Sequence, residues 1–184
     1  ADDFYYTDSH WRQERITKVA DEIAAQMGAE RIGTCEIQDT GRPFYGVYYG
    51  QAALPHAPER LFYLDNAVIR GLKVYNVETQ SDIPVYDLGA AAGRDPYEMF
   101  LGGARSIIKI TNPNAAQERR LIVFRDSFGS SIAPLLAAGY SEITLVDIRY
   151  ISPLSLGKLI DFTKADDVLF LYSASVINNS ETIK

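Results

Sequence analysis

The feature that most constrains this chain is the rhythm of residues 106–172, where short apolar runs alternate with helical segments. Ser106-Ile107-Ile108-Lys109-Ile110, Leu121-Ile122-Val123-Phe124, Ile143-Thr144-Leu145-Val146-Asp147 and Val168-Leu169-Phe170-Leu171-Tyr172 read as strands. They are rich in β-branched and aromatic residues and nearly continuous in apolar character, as strands covered on both faces are. The polar turn Asn112-Pro113-Asn114 joins the first two. A helix over residues 130–138 closes at Gly139, and a second over residues 153–163 opens on Pro153, the usual punctuation of a helix end and a helix start. The order β-α-β-α-β predicts an α/β fold, with a parallel sheet and helices on both faces, because parallel neighbours need a crossover connection.

Ahead of that core the texture differs. Over residues 11–27, Ile16, Val19, Ala20, Ile23, Ala24 and Met27 recur at three- and four-residue spacing, the apolar stripe of a helix that Gly28 stops. Residues 42–90, approximately, carry Phe44-Tyr45-Gly46-Val47-Tyr48-Tyr49, Leu61-Phe62-Tyr63-Leu64, Val68-Ile69 and Leu72-Lys73-Val74-Tyr75-Asn76-Val77. Breaks at Pro55, Pro58, Asp65-Asn66 and Gly71 separate these runs, which read as an antiparallel β-rich insertion. Residues 96–101 form a short helical turn before Gly102-Gly103. At 184 residues the chain reads as a single domain, since domains commonly run ~100–200 residues. Its opening residues, Ala1-Asp2-Asp3-Phe4-Tyr5-Tyr6-Thr7, look like the continuation of a strand or loop, so an amino-terminal portion of the domain is expected to precede them.

Charge and residue counts exclude several classes of function. Lys and Arg number 18 against 24 Asp and Glu, a net charge of 18 − 24 = −6. Phosphates repel such a balance at long range, which argues against nucleic acid as a partner. No apolar run approaches the ~20 residues of a membrane-spanning helix. One cysteine, Cys35, allows no intramolecular disulfide, and with two histidines, His10 and His56, there is no metal-ligand spacing; neither metal nor cofactor is expected. Twelve tyrosines suit half-wet surfaces. They fit either a sugar-facing groove or simply an aromatic β-region.

Two stretches could carry chemistry. Arg125-Asp126-Ser127-Phe128-Gly129-Ser130-Ser131 lies where a buried strand ends and a helix begins, and sites in open sheets form at the carboxyl ends of strands. A serine exposed on that turn, with helix N–H groups beside it, resembles half of a hydrolase nucleophile elbow. Asp126, Ser127 or Ser130 could equally be a plain helix cap. In Thr7-Asp8-Ser9-His10-Trp11, an extended backbone would put Asp8 and His10 on one side, a carboxylate able to orient an imidazole. Here too a helix cap by Asp8 or Ser9 is the plainer alternative. Gly102 and Gly103 could offer a backbone N–H to a substrate oxygen, or only make a turn. His56 reads as a surface residue.

Asp8-Ser9-His10-Trp11, Met99-Phe100-Leu101-Gly102-Gly103, Arg125-Asp126-Ser127-Phe128-Gly129 and Leu145-Val146-Asp147-Ile148-Arg149-Tyr150 together resemble the DHHW protein family, named for its Asp-His-His-Trp motif. The resemblance runs over nearly the whole chain. It extends to the SGNH (GDSL-like) hydrolase superfamily and to the bacterial alginate O-acetyltransferases. It implies a three-layer SGNH-like (flavodoxin-like) fold and a catalytic triad of Ser127, His10 and Asp8. Backbone donors near Ser127, at Phe128 and at Gly102 or Gly103, with Arg125 beside them, would hold the oxyanion or substrate. The implied activity is that of an esterase or O-acetyltransferase on acyl esters of a cell-surface or exported polysaccharide. Implied partners are an acylated polysaccharide or acyl donor, a membrane-bound acyltransferase and the preceding amino-terminal segment. The implied location is extracellular or in the cell envelope. Ser9 replaces the first His of the motif, and Arg125 stands where GDSL enzymes carry Gly. Two rival readings are a non-catalytic glycan-binding or scaffold module with a vestigial triad, and a phosphate or nucleotide site at residues 126–131.

Overall fold

The computed structural model describes residues 2–52 and 56–179; Pro55, expected to break a strand, and Ala1 lie outside them. The molecule is a mixed α/β structure with a six-stranded sheet flanked by helices and a separate two-stranded antiparallel sheet. The helix expected over residues 11–27 is a 3-10 turn, Gln13–Arg15, followed by α1, Thr17–Gln26. The two-stranded sheet pairs β1, Glu36–Phe44, with β2, Glu59–Asp65. Between and after them stand two short helices, α2 at Val47–Ala52 and α3 at Ala67–Gly71.

Those helices correct the sequence reading at Val47-Tyr48-Tyr49 and Val68-Ile69. Tyrosine and β-branched residues favour strands, but here the first-turn N–H groups find acceptors outside the helix. The Asn66 side chain takes the Ile69 N–H at α3. At α2, Thr7 and Asp8 accept the N–H groups of Gly46, Val47 and Tyr48. The run at 72–77 is a strand, β3, Lys73–Asn76, and it joins the main sheet together with β4, Ser81–Ile83.

The main sheet is completed by β5, Ile107–Thr111, β6, Arg120–Arg125, β7, Glu142–Val146, and β8, Asp167–Leu171, in the order β4-β3-β5-β7-β6-β8. Only β7-β6-β8 are parallel; β5 runs antiparallel to β7 and β3 antiparallel to β5. The wholly parallel sheet is thereby corrected. Residues 112–119 connect β5 to β6 and are too few for the helical crossover that a parallel pair needs.

Helix α4, Phe128–Leu136, links β6 to β7, and α5, Pro153–Leu159, links β7 to β8. Strand residues alternate between their faces. Leu121, Val123, Ile143 and Leu145 pack under Ile132, Leu135 and Leu136 of α4, while Ile122 and Val146 meet Leu156 and Ile160 on the other side. Because β7 and β8 flank β6, the chain reverses its direction of winding at β6. Its carboxyl end is the switch point where such sheets bind ligands.

Candidate active site

Residues 4–11 form a tight loop closed by a bridge between Phe4 and Trp11 and by the Tyr5 N–H on the His10 carbonyl, 3.2 Å away. Within it, Asp8 Oδ1 accepts the His10 backbone N–H at 2.9 Å and stands 2.5 Å from His10 Nδ1. The two side chains meet through this Asx-type turn, not through the alternation of an extended strand. No helix follows for Asp8 or Ser9 to cap: the next turn starts after Arg12 and has no side-chain cap. The second carboxylate oxygen, Oδ2, accepts the Val47 N–H at 2.9 Å.

The segment that carries Asp8 is itself held from below. Glu59 of β2 accepts the Tyr6 N–H, the Thr7 N–H and the Thr7 hydroxyl at 3.1, 2.8 and 2.6 Å. Thr7 in turn accepts from Gly46 and Tyr48. A Cβ on Gly46 would lie 2.1 Å from the Thr7 carbonyl oxygen and 2.4 Å from Asp8 Cβ, so the approach of α2 to the loop depends on glycine there.

On the opposite side, β6 ends at Arg125 and the chain turns into α4 through Asp126 and Ser127. Asp126 is buried and serves as the cap: Oδ1 accepts the Phe128 N–H at 3.0 Å, and Oδ2 accepts the Ser173 N–H beyond β8 at 2.7 Å. The cap and the nucleophile readings of this stretch are therefore divided between neighbours. Ser127 makes no capping bond, and its half-buried hydroxyl lies 2.7 Å from His10 Nε2. A carboxylate can only accept, so Nδ1 carries the ring proton and Nε2 is left to accept the serine O–H. The structure thus brings together Asp8, His10 and Ser127, separated by more than a hundred positions.

Burial would raise the Asp8 carboxyl's affinity for a proton. The His10 ring contact and the two backbone N–H bonds outweigh that and hold the group below its ordinary value. The imidazole is also clamped by packing. Tyr97 stacks on it at 3.9 Å between centroids and 10° between planes, and Phe128 lies 5.5 Å away. Tyr97 is held in turn, its O–H donating to Ser131 Oγ at 2.7 Å, an oxygen that also accepts from Trp11 Nε1 at 2.7 Å. Burial pushes the Tyr97 phenol well above its usual range, so it stays a neutral donor.

The residues expected to hold an oxyanion are placed differently. The Phe128 N–H is committed to Asp126. Gly102 and Gly103 form a left-handed turn at φ +70° and +75°, with the Gly103 N–H on the Phe100 carbonyl at 3.1 Å. Arg125 is fully buried, and its guanidinium donates to Ser130 Oγ at 3.0 Å and to the carbonyls of Asp126, Gly103 and Arg105 at 3.3–3.5 Å. It binds the Gly102-Gly103 turn to the β6–α4 corner and faces no solvent. The Ser127 and Gly102 N–H groups make no hydrogen bond among the described residues and are the donors that remain.

His56 is exposed, its Nδ1 donating to the Ala57 carbonyl at 2.6 Å. Sequence reasoning did not single out Tyr97, Glu59 or Gly46. The only signal for Tyr97 was Asp95-Pro96, which starts the 3-10 turn Pro96–Met99 that carries it.

Solved structures share this fold. A DHHW family protein from Eubacterium siraeum superposes with a TM-score of 0.73 at 22% identity, covering 100% of this chain and 63% of that one. Bacillus cereus PatB1, in a structure with a sulfonyl adduct, gives 0.71 at 21% identity over 96% of this chain and 62% of its own. A second PatB1 structure gives 0.69 at 21% identity, covering 96% and 64%. The chain thus spans under two thirds of each neighbour's length. No curated protein matches it. Residues 2–146 match the family model described as DHHW protein, and with that span the chain belongs to the DHHW family.

Proposed function

We propose that the chain is the catalytic part of a serine-dependent acyl-transfer enzyme, an SGNH-type esterase or O-acetyltransferase acting on acyl esters of a polysaccharide. The observation that carries the reading is the continuous contact from Asp8 through His10 to Ser127, 2.5 and 2.7 Å. In this reading Ser127 Oγ attacks the acyl carbonyl carbon as its proton passes to His10 Nε2, and Asp8 stabilises the resulting imidazolium. The tetrahedral oxyanion takes the Ser127 N–H. Its collapse breaks the bond to the leaving alcohol, to which His10 returns the proton, leaving an acyl-serine. Water then regenerates an esterase, or a sugar hydroxyl completes a transferase cycle.

Several observations support the finer parts. The serine follows the central parallel strand at the switch point, as a three-layer SGNH-like (flavodoxin-like) sheet requires. PatB1 bears a sulfonyl adduct in one structure, the product expected where a sulfonyl reagent meets an activated nucleophile. The chain covers 63% and 62% of two longer neighbours, which fits a domain with further residues outside those described here. We place its work at the cell surface or in the envelope, on an acylated polysaccharide or acyl donor, alongside a membrane-bound acyltransferase.

One observation favours the non-catalytic reading, a glycan-binding module with a vestigial triad. The Phe128 and Gly103 N–H groups are both spent inside the chain. Acetate release from acetylated xylan and from p-nitrophenyl acetate decides between them. The wild type releases acetate and Ser127→Ala does not. Equal release by both proteins would remove Ser127 from the mechanism, and release by neither would favour the binding module.

A further inference from the structure

A buried cation is costly unless a carboxylate meets it. Arg12, Arg119 and Arg149, each only partly buried, hold Glu14, Asp167 and Asp147. Arg125 is fully buried and makes no ion pair among the described residues. Its Nε–H finds no acceptor among them. The rest of the guanidinium donates only to neutral oxygens: Ser130 Oγ at 3.0 Å and the carbonyls of Asp126, Arg105 and Gly103 at 3.3, 3.4 and 3.5 Å. The buried carboxylates whose charges reach it are engaged elsewhere, Asp147 bidentately by Arg149 and Asp126 by the Phe128 and Ser173 N–H groups. Gly129 makes room for the stem under the first turn of α4, since a Cβ there would lie 2.6 Å from Arg125 Cβ and 2.8 Å from its Cγ.

What the guanidinium holds are the two segments with free N–H groups. The Asp126 carbonyl belongs to the peptide that carries the Ser127 N–H, and a trans peptide points the two in opposite directions. That carbonyl accepts the Gly129 N–H at 3.1 Å and Arg125 Nη1 as a second, charged donor. A charged donor on the oxygen polarises the peptide and makes its N–H a stronger donor in turn. On the other arm, Nη2 reaches the carbonyl of Gly103, the end of three successive left-handed residues, Leu101, Gly102 and Gly103, at φ +54°, +70° and +75°. Leu101 is fully buried and not a glycine, so its conformation costs ~1–2 kcal/mol and persists only where the surroundings impose it. Glu98 packs on one side of the turn, where a Gly103 Cβ would lie 2.8 Å from its Cγ, and Arg125 ties the other to the β6–α4 corner. The Gly102 N–H in that turn is left free.

We propose that Arg125 is a positioning residue for the oxyanion: from beneath the corner it holds the Ser127 peptide and the Leu101-Gly102-Gly103 turn together, and its charge strengthens the Ser127 N–H. It touches neither the acyl group nor Ser127 Oγ. An apolar side chain of similar length would fill the same space without the cost of burying a charge, but it would leave the Asp126 carbonyl without its charged donor. Stabilisation of this kind is largest where charge develops out of water, on the acyl oxygen as the tetrahedral intermediate forms. The inference rests on the acyl-transfer reading and adds the residue that prepares its oxyanion donor.

The test is the ionisation of the hemiketal that Ser127 forms with a carbonyl-labelled trifluoromethyl ketone, followed by carbon NMR across pH. Ser127 Oγ adds to the ketone carbon, its proton passes to His10, and the former carbonyl oxygen becomes the oxyanion or, once protonated, a hydroxyl. The pH at which it ionises therefore reads the oxyanion site and nothing else of the fold. Arg125→Met should raise that pH by about one unit or more, a tenfold or greater loss of oxyanion stabilisation. Arg125→Lys, which keeps the charge but not the planar fork, should show part of the same shift. Both are read on the folded adduct, so a loss of stability, recorded separately by urea midpoints, does not enter. Should Arg125→Met fail to fold, the shift in Arg125→Lys decides alone. Ionisation at the wild-type pH in the variants that fold, whatever their stability, would overturn the proposal and leave Arg125 a structural residue. A wild type that forms no hemiketal would instead remove the acyl-transfer reading, and this inference with it.

Discussion

Gly46→Ala should disable the site from outside the triad. The added Cβ falls 2.1 Å from the Thr7 carbonyl oxygen and 2.4 Å from Asp8 Cβ. Restoring an ordinary contact of 3.4 Å requires 3.4 − 2.1, about 1.3 Å of movement. Thr7 cannot supply it easily, because Glu59 holds both its N–H and its hydroxyl. The bonds that yield are Val47 N–H to Asp8 Oδ2 and Tyr48 N–H to the Thr7 carbonyl, both 2.9 Å. Two lost hydrogen bonds at ~0.5–1.5 kcal/mol each, with ~1–3 kcal/mol of overpacking, give a destabilisation of roughly 2–6 kcal/mol. In a domain of this size that lowers the melting temperature by about 5–20 °C. A displacement near 1 Å in the group that orients the base costs about 10²-fold in rate. The assay is the second-order rate of Ser127 modification by a fluorophosphonate, run with a thermal melt. Gly50→Ala is the control: it lies in the same helix and nothing is within 4 Å of its Cβ, so it should match the wild type or melt slightly higher. Wild-type rate and melting temperature in Gly46→Ala would refute the argument that α2 seats Asp8.

Asp8→Asn should slow Ser127 modification by roughly 10⁴-fold, because the amide no longer fixes the reactive tautomer. It should also cost stability in a pH-dependent way. The folded Asp8 carboxyl is held below the unfolded value near ~4, so its contribution is present above that pH and fades as pH falls through the lowered folded value. Urea midpoints of wild type and Asp8→Asn should therefore converge below about pH 4; a constant gap down to acid pH would contradict this. Tyr97→Phe keeps the ring on His10 and loses the hydroxyl's contacts with Ser131 Oγ and the Trp11 carbonyl, so it should cost ~1–2 kcal/mol in urea unfolding and change the modification rate by no more than a few fold. Arg125→Ala empties a fully buried site and orphans the oxygens it now serves; chemical denaturation should show a loss of about 3–5 kcal/mol, and an unchanged midpoint would refute its structural role.

Much of the site was legible because its signals are local. Asp8 and His10 sit two residues apart, and Ser127 follows a strand whose apolar run is unmistakable. The parallel part of the sheet was legible for the same reason, with helix punctuation at Gly139 and Pro153. What escaped depends on contacts between distant segments. The strand-like run at Val47-Tyr48-Tyr49 is helical because Thr7 and Asp8, about forty positions away, receive its N–H groups. The direction of β5 follows from its pairing with β7 across the α4 crossover, which residues 106–110 alone do not encode. Arg125 reads as a ligand-facing cation in sequence, yet the surrounding carbonyls and Ser130 absorb it. Tyr97 had no chemical signature at all; its role comes from the ring it meets.

The most direct test of the central claim is intact mass after exposure to a fluorophosphonate, with peptide mapping of the adduct. The account predicts one adduct on the wild type, mapped to Ser127 and absent from both Ser127→Ala and His10→Ala, since the contact at 2.7 Å is what activates the serine. A wild type that stays unmodified, or an adduct that persists in His10→Ala at the wild-type rate, would contradict it.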